Sequence, residues 1–260
     1  MESKNVRAVE RAIDILDAIR KKGKAVGVTE ISQDIGLAKS TVYRLLETLL
    51  DKNMLHKDED AETYALGYKV LELAFSASTN WDLINLAMPY LEELRDEFNE
   101  TTALALKVGL NYAYIAEAVS HQEFRVNPIL GRQYPLHWAG TGKAILAYVD
   151  ECDRIEALKL APYSRSTPLT VTDPEILLKQ IEQIRRDGYA VSFGERAEGA
   201  AVIASPVCDR QGYVQAAVCL VGPESRLRKM DLSAVGKAVV EVGQKVQLVY
   251  RTAGVKLPRI

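Results

Sequence analysis

Residues 29–53 constrain the fold most, because this stretch reads as two short helices joined by a tight turn. Thr29 is placed to N-cap the first helix, and Gly36 has the conformational freedom that ends one. The second helix begins near Lys39. Its apolar residues recur at the i, i+3, i+4, i+7 spacing of a core-facing stripe, namely Val42, Leu45, Leu46 and Leu49.

The opposite face of the second helix suits DNA recognition. Lys39 opens the helix, Ser40 and Arg44 lie on that face, and Thr41 and Tyr43 flank it. Hydroxyls at such a position reach phosphates or base edges, and an arginine binds guanine with two hydrogen bonds. We predict that these five residues contact DNA. The alternative is an ordinary helical hairpin, since two helices with a glycine turn are common.

The flanking segments complete a winged helix-turn-helix over residues 1–66. Residues 54–56 and 63–66 read as two short strands around an acidic turn at 57–62, which phosphate would repel from the minor groove. A helix is predicted over residues 6–22. Its inward-facing residues are predicted to be Val9, Ile13, Leu16 and Ile19.

Charge and composition set limits on the function. The whole chain has a formal net charge of −2, whereas residues 1–57 hold eleven basic and eight acidic residues, a mild positive excess. No apolar run approaches the roughly 18 residues of a membrane span. The charged N-terminus lacks a secretion signal, and three widely spaced cysteines do not suggest disulfides. We therefore expect a cytoplasmic protein without a membrane partner.

The remainder of the chain predicts an α+β domain. Residues 67–80 contain a helix that either links two domains, and then pairs with a copy of itself, or simply belongs to the second domain. Residues 81–250 alternate helices with strands of a mainly antiparallel sheet, and 251–260 form a tail. Helices are predicted at 81–97, 140–149, 174–187 and 232–250, and a further helix is predicted to start at residue 150. Strands are predicted at 101–108, 112–119, 123–127, 189–193, 200–207 and 214–221.

No set of residues in the sequence indicates catalysis. The Gly140–Lys143 motif is not a phosphate loop, because His137 stands where a glycine is needed and Ala144 follows the lysine. Glycines at a helix start still expose backbone N–H groups that suit a carboxylate. Glu195 and Glu198 lack the partner pattern of an acid/base pair, and the histidines and cysteines lack metal-ligand spacing. We expect no cofactor and no metal.

Several ordered motifs resemble those of the IclR family of bacterial transcriptional regulators over nearly the whole chain. They include VTEISQDIGLAKSTVYRLLETLLDKNML, GRQYPLHWAGTGKAILAY and GYAVSFGERAEGAAVIASPVCDRQGYVQAAVCLVGP. The resemblance implies a GAF-like effector-binding domain after the DNA-binding domain. It also implies a homodimer or a dimer of dimers on a palindromic operator, near genes for the catabolism of small organic acids or aromatics, with repression favoured over activation.

The same resemblance implies an effector pocket. Its residues map here to Gly140, Thr141, Gly142, Ser192, Glu195, Val202, Cys219 and Val221. Ser192 stands where many family members have an acid, and Val202 stands where many have a cysteine. Members that bind small hydroxy- or keto-acids tend to have serines at the positions of Cys219 and Val221. Fewer hydroxyls imply a more apolar pocket. We therefore predict an effector with an apolar or aromatic body and an anionic group against residues 140–142.

Two alternatives stay open at this stage. Val202 and Val221 could merely fill the core, with the effector elsewhere or absent. The N-terminal module could also dock to a protein and not to DNA, which would make the chain a small-molecule sensor of another class.

Overall fold

The computed structural model describes residues 5–76, 79–159 and 163–253. The chain forms two compact units, residues 1–78 and 79–260. No helix among the described residues is both long and apolar enough to cross a membrane.

The first unit is a winged helix-turn-helix. Its elements are α1 (Arg7–Lys22), β1 (Val26–Gly27), α2 (Val28–Ile35), α3 (Lys39–Asp51), β2 (Leu55–Asp58), β3 (Thr63–Leu66) and α4 (Tyr68–Ser76). The strands form an antiparallel sheet in the order β1-β3-β2. The core lies between α1, α2 and α3, where Ile15, Ile31 and Leu46 are completely buried. The predicted hairpin and its left-handed Gly36, at φ 65°, are confirmed.

The predicted inward face of α1 is partly wrong. Val9 and Ile13 are 56% and 55% exposed, whereas Ile15 is fully buried and Ile19 nearly so. Apolar residues occupy two overlapping stripes of this helix, and periodicity shows that such a face exists without selecting between the stripes. Contact with α2 and α3 selects the stripe that contains Ile15.

The predicted cap of α2 is also wrong. Gly27, and not Thr29, is the N-cap residue, and it is extended at φ −78° and ψ 156°. Gly27 pairs with Thr63 of β3, so the chain enters the helix directly from a strand. This long-range pairing places the start of the helix one residue before Thr29.

The second unit is an α+β domain, as predicted. Its elements are α5 (Thr79–Phe98), β4 (Thr101–Val108), β5 (Asn111–Ala118), β6 (Gln133–Pro135), α6 (Ala139–Leu146), α7 (Glu151–Lys159), α8 (Pro174–Asp187), β7 (Ala190–Phe193), β8 (Ala200–Cys208), β9 (Val214–Pro223), α9 (Glu224–Leu227) and α10 (Leu232–Thr252). One antiparallel sheet has the order β6-β5-β4-β9-β8-β7.

Both faces of this sheet are covered by helices. We call the side that packs on α6 and α8 the α6 face, and it includes Val202, Ala204 and Cys219. The opposite side, the α10 face, packs on α5 and α10 and includes Ile203 and Leu220. Alternate residues of each central strand therefore enter different cores, as the two-residue period of a strand requires.

Two predictions for the second unit need correction. Residues 123–127 form no strand, and Phe124 is 72% exposed. The strand that pairs with β5 at the sheet edge is β6, which the sequence did not indicate because it spans only three residues. Helix α10 continues to Thr252, two residues into the predicted tail, and residues 254–260 lie outside the described part of the chain.

Helix α6 approaches its neighbours closely at two glycines. A Cβ on Gly142 would lie 2.4 Å from the carbonyl oxygen of Leu136, which is backbone and cannot swing away. A Cβ on Gly140 would lie 3.1 Å from the carbonyl oxygen of Val202. The start of α6 is therefore held between the loop at Leu136 and strand β8.

We predict that Gly142→Ala destabilises the second unit by about 1–3 kcal/mol, the usual cost of overpacking a core. Helix propensity alone predicts the opposite sign, because alanine stabilises a helix interior by about 0.5–1 kcal/mol relative to glycine. Urea unfolding followed by circular dichroism measures the change. An increase in the free energy of unfolding would show that α6 does not pack this closely.

Candidate functional site

The N-terminal end of α3 presents the polar surface that the sequence predicts. Lys39, Ser40, Tyr43 and Arg44 are exposed and Thr41 is half-buried, while Val42, Leu46 and Leu49 of the same helix are buried. Within the described chain, no ion pair occupies Lys39 or Arg44. The acids Glu47 and Asp51 lie toward the other end of the helix. The two cations are thus free for a polyanion.

Other basic residues of the first unit already have partners. Lys22 bonds to Glu30 at 2.8 Å and to Asp34 at 3.1 Å, and Arg20 pairs with Asp17 at 3.0 Å. The Lys22 contacts tie the end of α1 to α2, and all three contacts neutralise part of the basic cluster there. The start of α3 is therefore the better candidate for contact with DNA.

In the second unit the fold brings three of the predicted effector residues together at the start of α6. The Gly140 amide donates to the Ser192 hydroxyl at 2.8 Å. Ser192 is paired in the sheet with Val202, whose backbone is the one that approaches Gly140. One of the first-turn amides that we expected to face an anion is thus occupied by Ser192.

A second group of predicted residues meets on the α6 face. The Thr141 hydroxyl lies 2.9 Å from the Tyr114 hydroxyl and 3.4 Å from the Cys219 sulfur. Burial raises the pKa of the Cys219 thiol to about 12, so this cysteine is a neutral thiol. Val221 follows on the same face and is paired with Val202 across strands β8 and β9. The two valines and the thiol form an apolar wall beside Thr141.

Glu195, another predicted effector residue, belongs to a buried ion pair. Its carboxylate accepts from the Lys143 ammonium at 2.6 Å and 2.5 Å. Lys143 is 1% exposed and Glu195 is 7% exposed. Burial lowers the pKa of Lys143, and the Glu195 carboxylate counteracts that effect. Because its charge is already matched, Glu195 is poorly suited to bind an anion or to act as a free base.

Sequence reasoning missed an aromatic cluster on the same face. Tyr112, Tyr114 and Tyr134 have ring centroids 5.5 to 6.2 Å apart. Burial raises the pKa of both Tyr112 and Tyr114, so both are neutral phenols. The spacing of Tyr112 and Tyr114 could have indicated part of this cluster, because residues two apart on one strand point to the same face of the sheet.

Arg196 was missed as well. Its guanidinium carbon lies 5.2 Å from the centre of the Tyr134 ring and 5.9 Å from that of Tyr114. It follows Glu195 directly in sequence, and nothing in the sequence pattern separates their roles. In the part of the chain that the structure describes, no three histidine, cysteine or acidic side chains are grouped to hold a metal ion.

Comparison with known proteins matches both units to one family. The family model described as bacterial transcriptional regulator IclR C-terminal matches residues 75–248, and the IclR helix-turn-helix domain matches residues 8–59. The HTH-type transcriptional regulator BhcR of Paracoccus denitrificans is 32% identical over 245 residues, which cover 94% of this chain and 88% of BhcR.

Two further comparisons agree with that match. The HTH-type transcriptional repressor AllR of Salmonella paratyphi A is 31% identical over 243 residues, covering 94% of this chain and 89% of AllR. An IclR homolog from Microbacterium hydrocarbonoxydans, solved in complex with 4-hydroxybenzoate, aligns with a TM-score of 0.81 at 24% identity. That alignment covers 93% of this chain and 98% of the homolog, and shows a shared fold.

The buried ion pair generates a stability prediction. Lys143→Met should cost about 3–5 kcal/mol, because it leaves the Glu195 carboxylate buried without a counterion. The double variant Lys143→Met, Glu195→Met should recover most of that loss, since no buried charge remains. The midpoint of urea unfolding measures both changes.

A surface pair of the same residue types provides the control. Lys245 and Glu241 are 3.0 Å apart, with side chains 43% and 67% exposed, so Lys245→Met should hardly change the unfolding midpoint. A double variant at 143 and 195 that is as unstable as the single one would contradict the assignment of Glu195 as a buried charge.

Proposed function

The chain belongs to the IclR family of bacterial transcriptional regulators, and we propose that it represses a catabolic operon in response to a small organic acid. DNA binding and regulation follow from the family. Repression, the kind of operon and the effector are our proposals. The observation that best supports them is the pair of sites, a free cationic helix end in the first unit and an apolar wall beside α6 in the second.

Contact with DNA is proposed for Lys39, Ser40, Thr41, Tyr43 and Arg44. The exposed cations supply attraction to phosphate, and Arg44 is placed on the exposed face to read a base edge in the major groove. The acidic turn between β2 and β3 supports a mode in which the wing does not enter the minor groove. Lys57 of strand β2 is already paired with Glu59 of the turn at 2.7 Å, so the turn's other charged residues, Asp60 and Glu62, leave it negative.

We also propose that the protein acts as a homodimer or a dimer of dimers on a palindromic operator. The exposed residues Val9 and Ile13 support this, because two apolar side chains on one helix face favour burial against another chain. Two copies would present two recognition helices to two half-sites, and the operator would share their symmetry. We further propose that residues 67–80 link the two domains. We also propose that the protein is cytoplasmic.

The proposed effector is an acid with an apolar or aromatic body. Val202, Cys219 and Val221 offer it few hydrogen-bond partners, and 4-hydroxybenzoate in the Microbacterium homolog is an acid of this class. Gly140, Thr141 and Gly142 form the polar end of the proposed site. Ser192 holds the Gly140 amide there, and Glu195 fixes Lys143 next to it.

Arg44→Ala should weaken binding to the protein's own upstream DNA by about 1–3 kcal/mol if Arg44 reads a guanine. Fluorescence anisotropy with that fragment and with a scrambled fragment measures the loss, and the affinity should fall steeply with salt. Arg186→Ala, which removes an exposed arginine of the second unit, is the control. Binding that is absent, or that does not respond to salt, would favour a module that docks to protein.

Val202→Ser and Val221→Ser should each weaken binding of hexanoate and benzoate by about 1 kcal/mol, because each exchanges apolar surface for a hydroxyl. Thermal shift is a suitable measurement, since a ligand at a hundred times its Kd stabilises by about 2.7 kcal/mol. The control is Val207→Ser, on the same strand but on the α10 face. Unchanged affinity for every apolar acid in the two variants would refute the apolar pocket.

A further inference from the structure

We infer that Arg196 binds the carboxylate of the effector and that the rings of Tyr114 and Tyr134 pack against the effector's body. This inference rests on the proposed function, because it names the charged residue of the same ligand site. It also changes one expectation, since it assigns the main positive charge to a side chain and not to the end of α6.

The guanidinium of Arg196 has no carboxylate partner among the described residues. The neighbouring Glu195 is committed to Lys143, and Glu198 is exposed. The side chain makes one long hydrogen bond, from Nη1 to the Tyr134 hydroxyl at 3.4 Å. A guanidinium has five N–H donors, so most of its capacity is unused. Partly buried cations of this kind are stabilised by a bidentate carboxylate.

The position of Arg196 is fixed by its surroundings. Its carbonyl oxygen accepts from the Ser166 hydroxyl at 2.6 Å, and its guanidinium lies over the two tyrosine rings. Stacking on an aromatic face holds the planar group in one orientation while leaving its edges free to donate. Arg196 is therefore preorganised, which reduces the entropy lost when a ligand binds.

Arg196 faces the residues already assigned to the pocket. The Tyr114 ring beneath it carries the hydroxyl that lies 2.9 Å from Thr141, which in turn contacts Cys219. The charge of Arg196 also opposes the rise in pKa of Tyr114 and of Cys219, so its field reaches both groups. A carboxylate on Arg196 would thus leave the body of the acid beside the tyrosines and the apolar wall.

By contrast, the end of α6 is a weaker anchor. A helix N-terminus offers a partial positive charge of about half a unit, and here Ser192 already accepts from the Gly140 amide. The Lys143 ammonium is matched by Glu195. Among the described residues, the charge of Lys143 is thus neutralised by a carboxylate, whereas that of the partly buried Arg196 is not.

The Tyr112 hydroxyl narrows the class of ligand. It is completely buried, and its polar neighbour is the Tyr114 hydroxyl, which also lies 2.9 Å from the Thr141 hydroxyl. The Tyr112 ring lies 5.5 Å from both Tyr114 and Tyr134, in the cluster on which Arg196 stacks. A phenol both donates and accepts, so a planar monocarboxylate that carries a second polar group would give the guanidinium a partner and this phenol a further one.

The test compares Arg196→Gln with Arg132→Gln by thermal-shift titration of the full chain. Arg132 is a matched control, because its guanidinium carbon lies 5.3 Å from the same Tyr134 ring but the residue is exposed. The probes are benzoate, 4-hydroxybenzoate and hexanoate, with benzamide as the neutral analogue of benzoate. Sodium chloride at equal ionic strength corrects for general salt effects.

We expect at least one of the acids, and not benzamide, to stabilise the native protein. Arg196→Gln should weaken binding of that acid about 10- to 100-fold, the loss expected for a charge-assisted hydrogen-bonded pair. The acid affinity of Arg196→Lys should lie between those of the native protein and Arg196→Gln, because lysine keeps the charge but cannot donate two parallel hydrogen bonds to a carboxylate. Arg132→Gln should bind within about threefold of the native protein, as expected for an exposed charge.

Two results would overturn the inference. One is equal affinity of the native protein and Arg196→Gln for the acid, with circular dichroism showing both to be folded. The other is no stabilisation by any of the three acids at about 10 mM, a hundredfold above a Kd of about 0.1 mM. Operator binding, measured separately on the native protein, tests the proposed function. If the native protein does not bind the operator but still binds the acid in an Arg196-dependent way, the proposed regulatory function is refuted and the anion site is not.

Discussion

Helix α6 lies so close to the preceding loop that residue 142 has to be glycine, and its approach to strand β8 leaves little room for a side chain at residue 140. This close approach sets the positions of the polar residues beside it. It brings the Gly140 amide within 2.8 Å of Ser192 and the Thr141 hydroxyl within 3.4 Å of Cys219. It also directs Lys143 inward, where Glu195 has to neutralise it. The proposed ligand site is thus a consequence of how one short helix packs.

The pairing of cations separates structural from functional residues in both units. Lys22 and Lys143 are held by carboxylates, and each ties one helix to another element of its own unit. Lys39 and Arg44 on α3, and Arg196 on the tyrosine cluster, have no such partner in the described part of the chain. An unpaired cation is free to bind an anion that the protein does not supply. The partners proposed here, DNA phosphate and an organic carboxylate, are both anions.

Local signals in the sequence predicted much of this fold. Asp173 caps α8 by accepting from the amides of Glu175 and Ile176, and Gly188 ends the helix at φ 81°, because those residue types encode their own turns. The parts that failed depend on distant contacts. The buried face of α1 is selected by α2 and α3, and the stacking of Arg196 on Tyr134 joins residues 62 positions apart. Family resemblance predicted a set of pocket residues, but it did not indicate that the Glu195 carboxylate is neutralised by Lys143.

The central claim is that a carboxylate bound in the second unit changes the affinity of the first unit for DNA. The most direct measurement is the Kd for an operator fragment with and without a saturating acid, benzoate being the first probe, together with the Kd for the acid with and without the operator. Linkage requires both affinities to change by the same factor, which for typical allosteric coupling is about 5- to 150-fold. An operator affinity that stays constant while the acid site is saturated would contradict the claim.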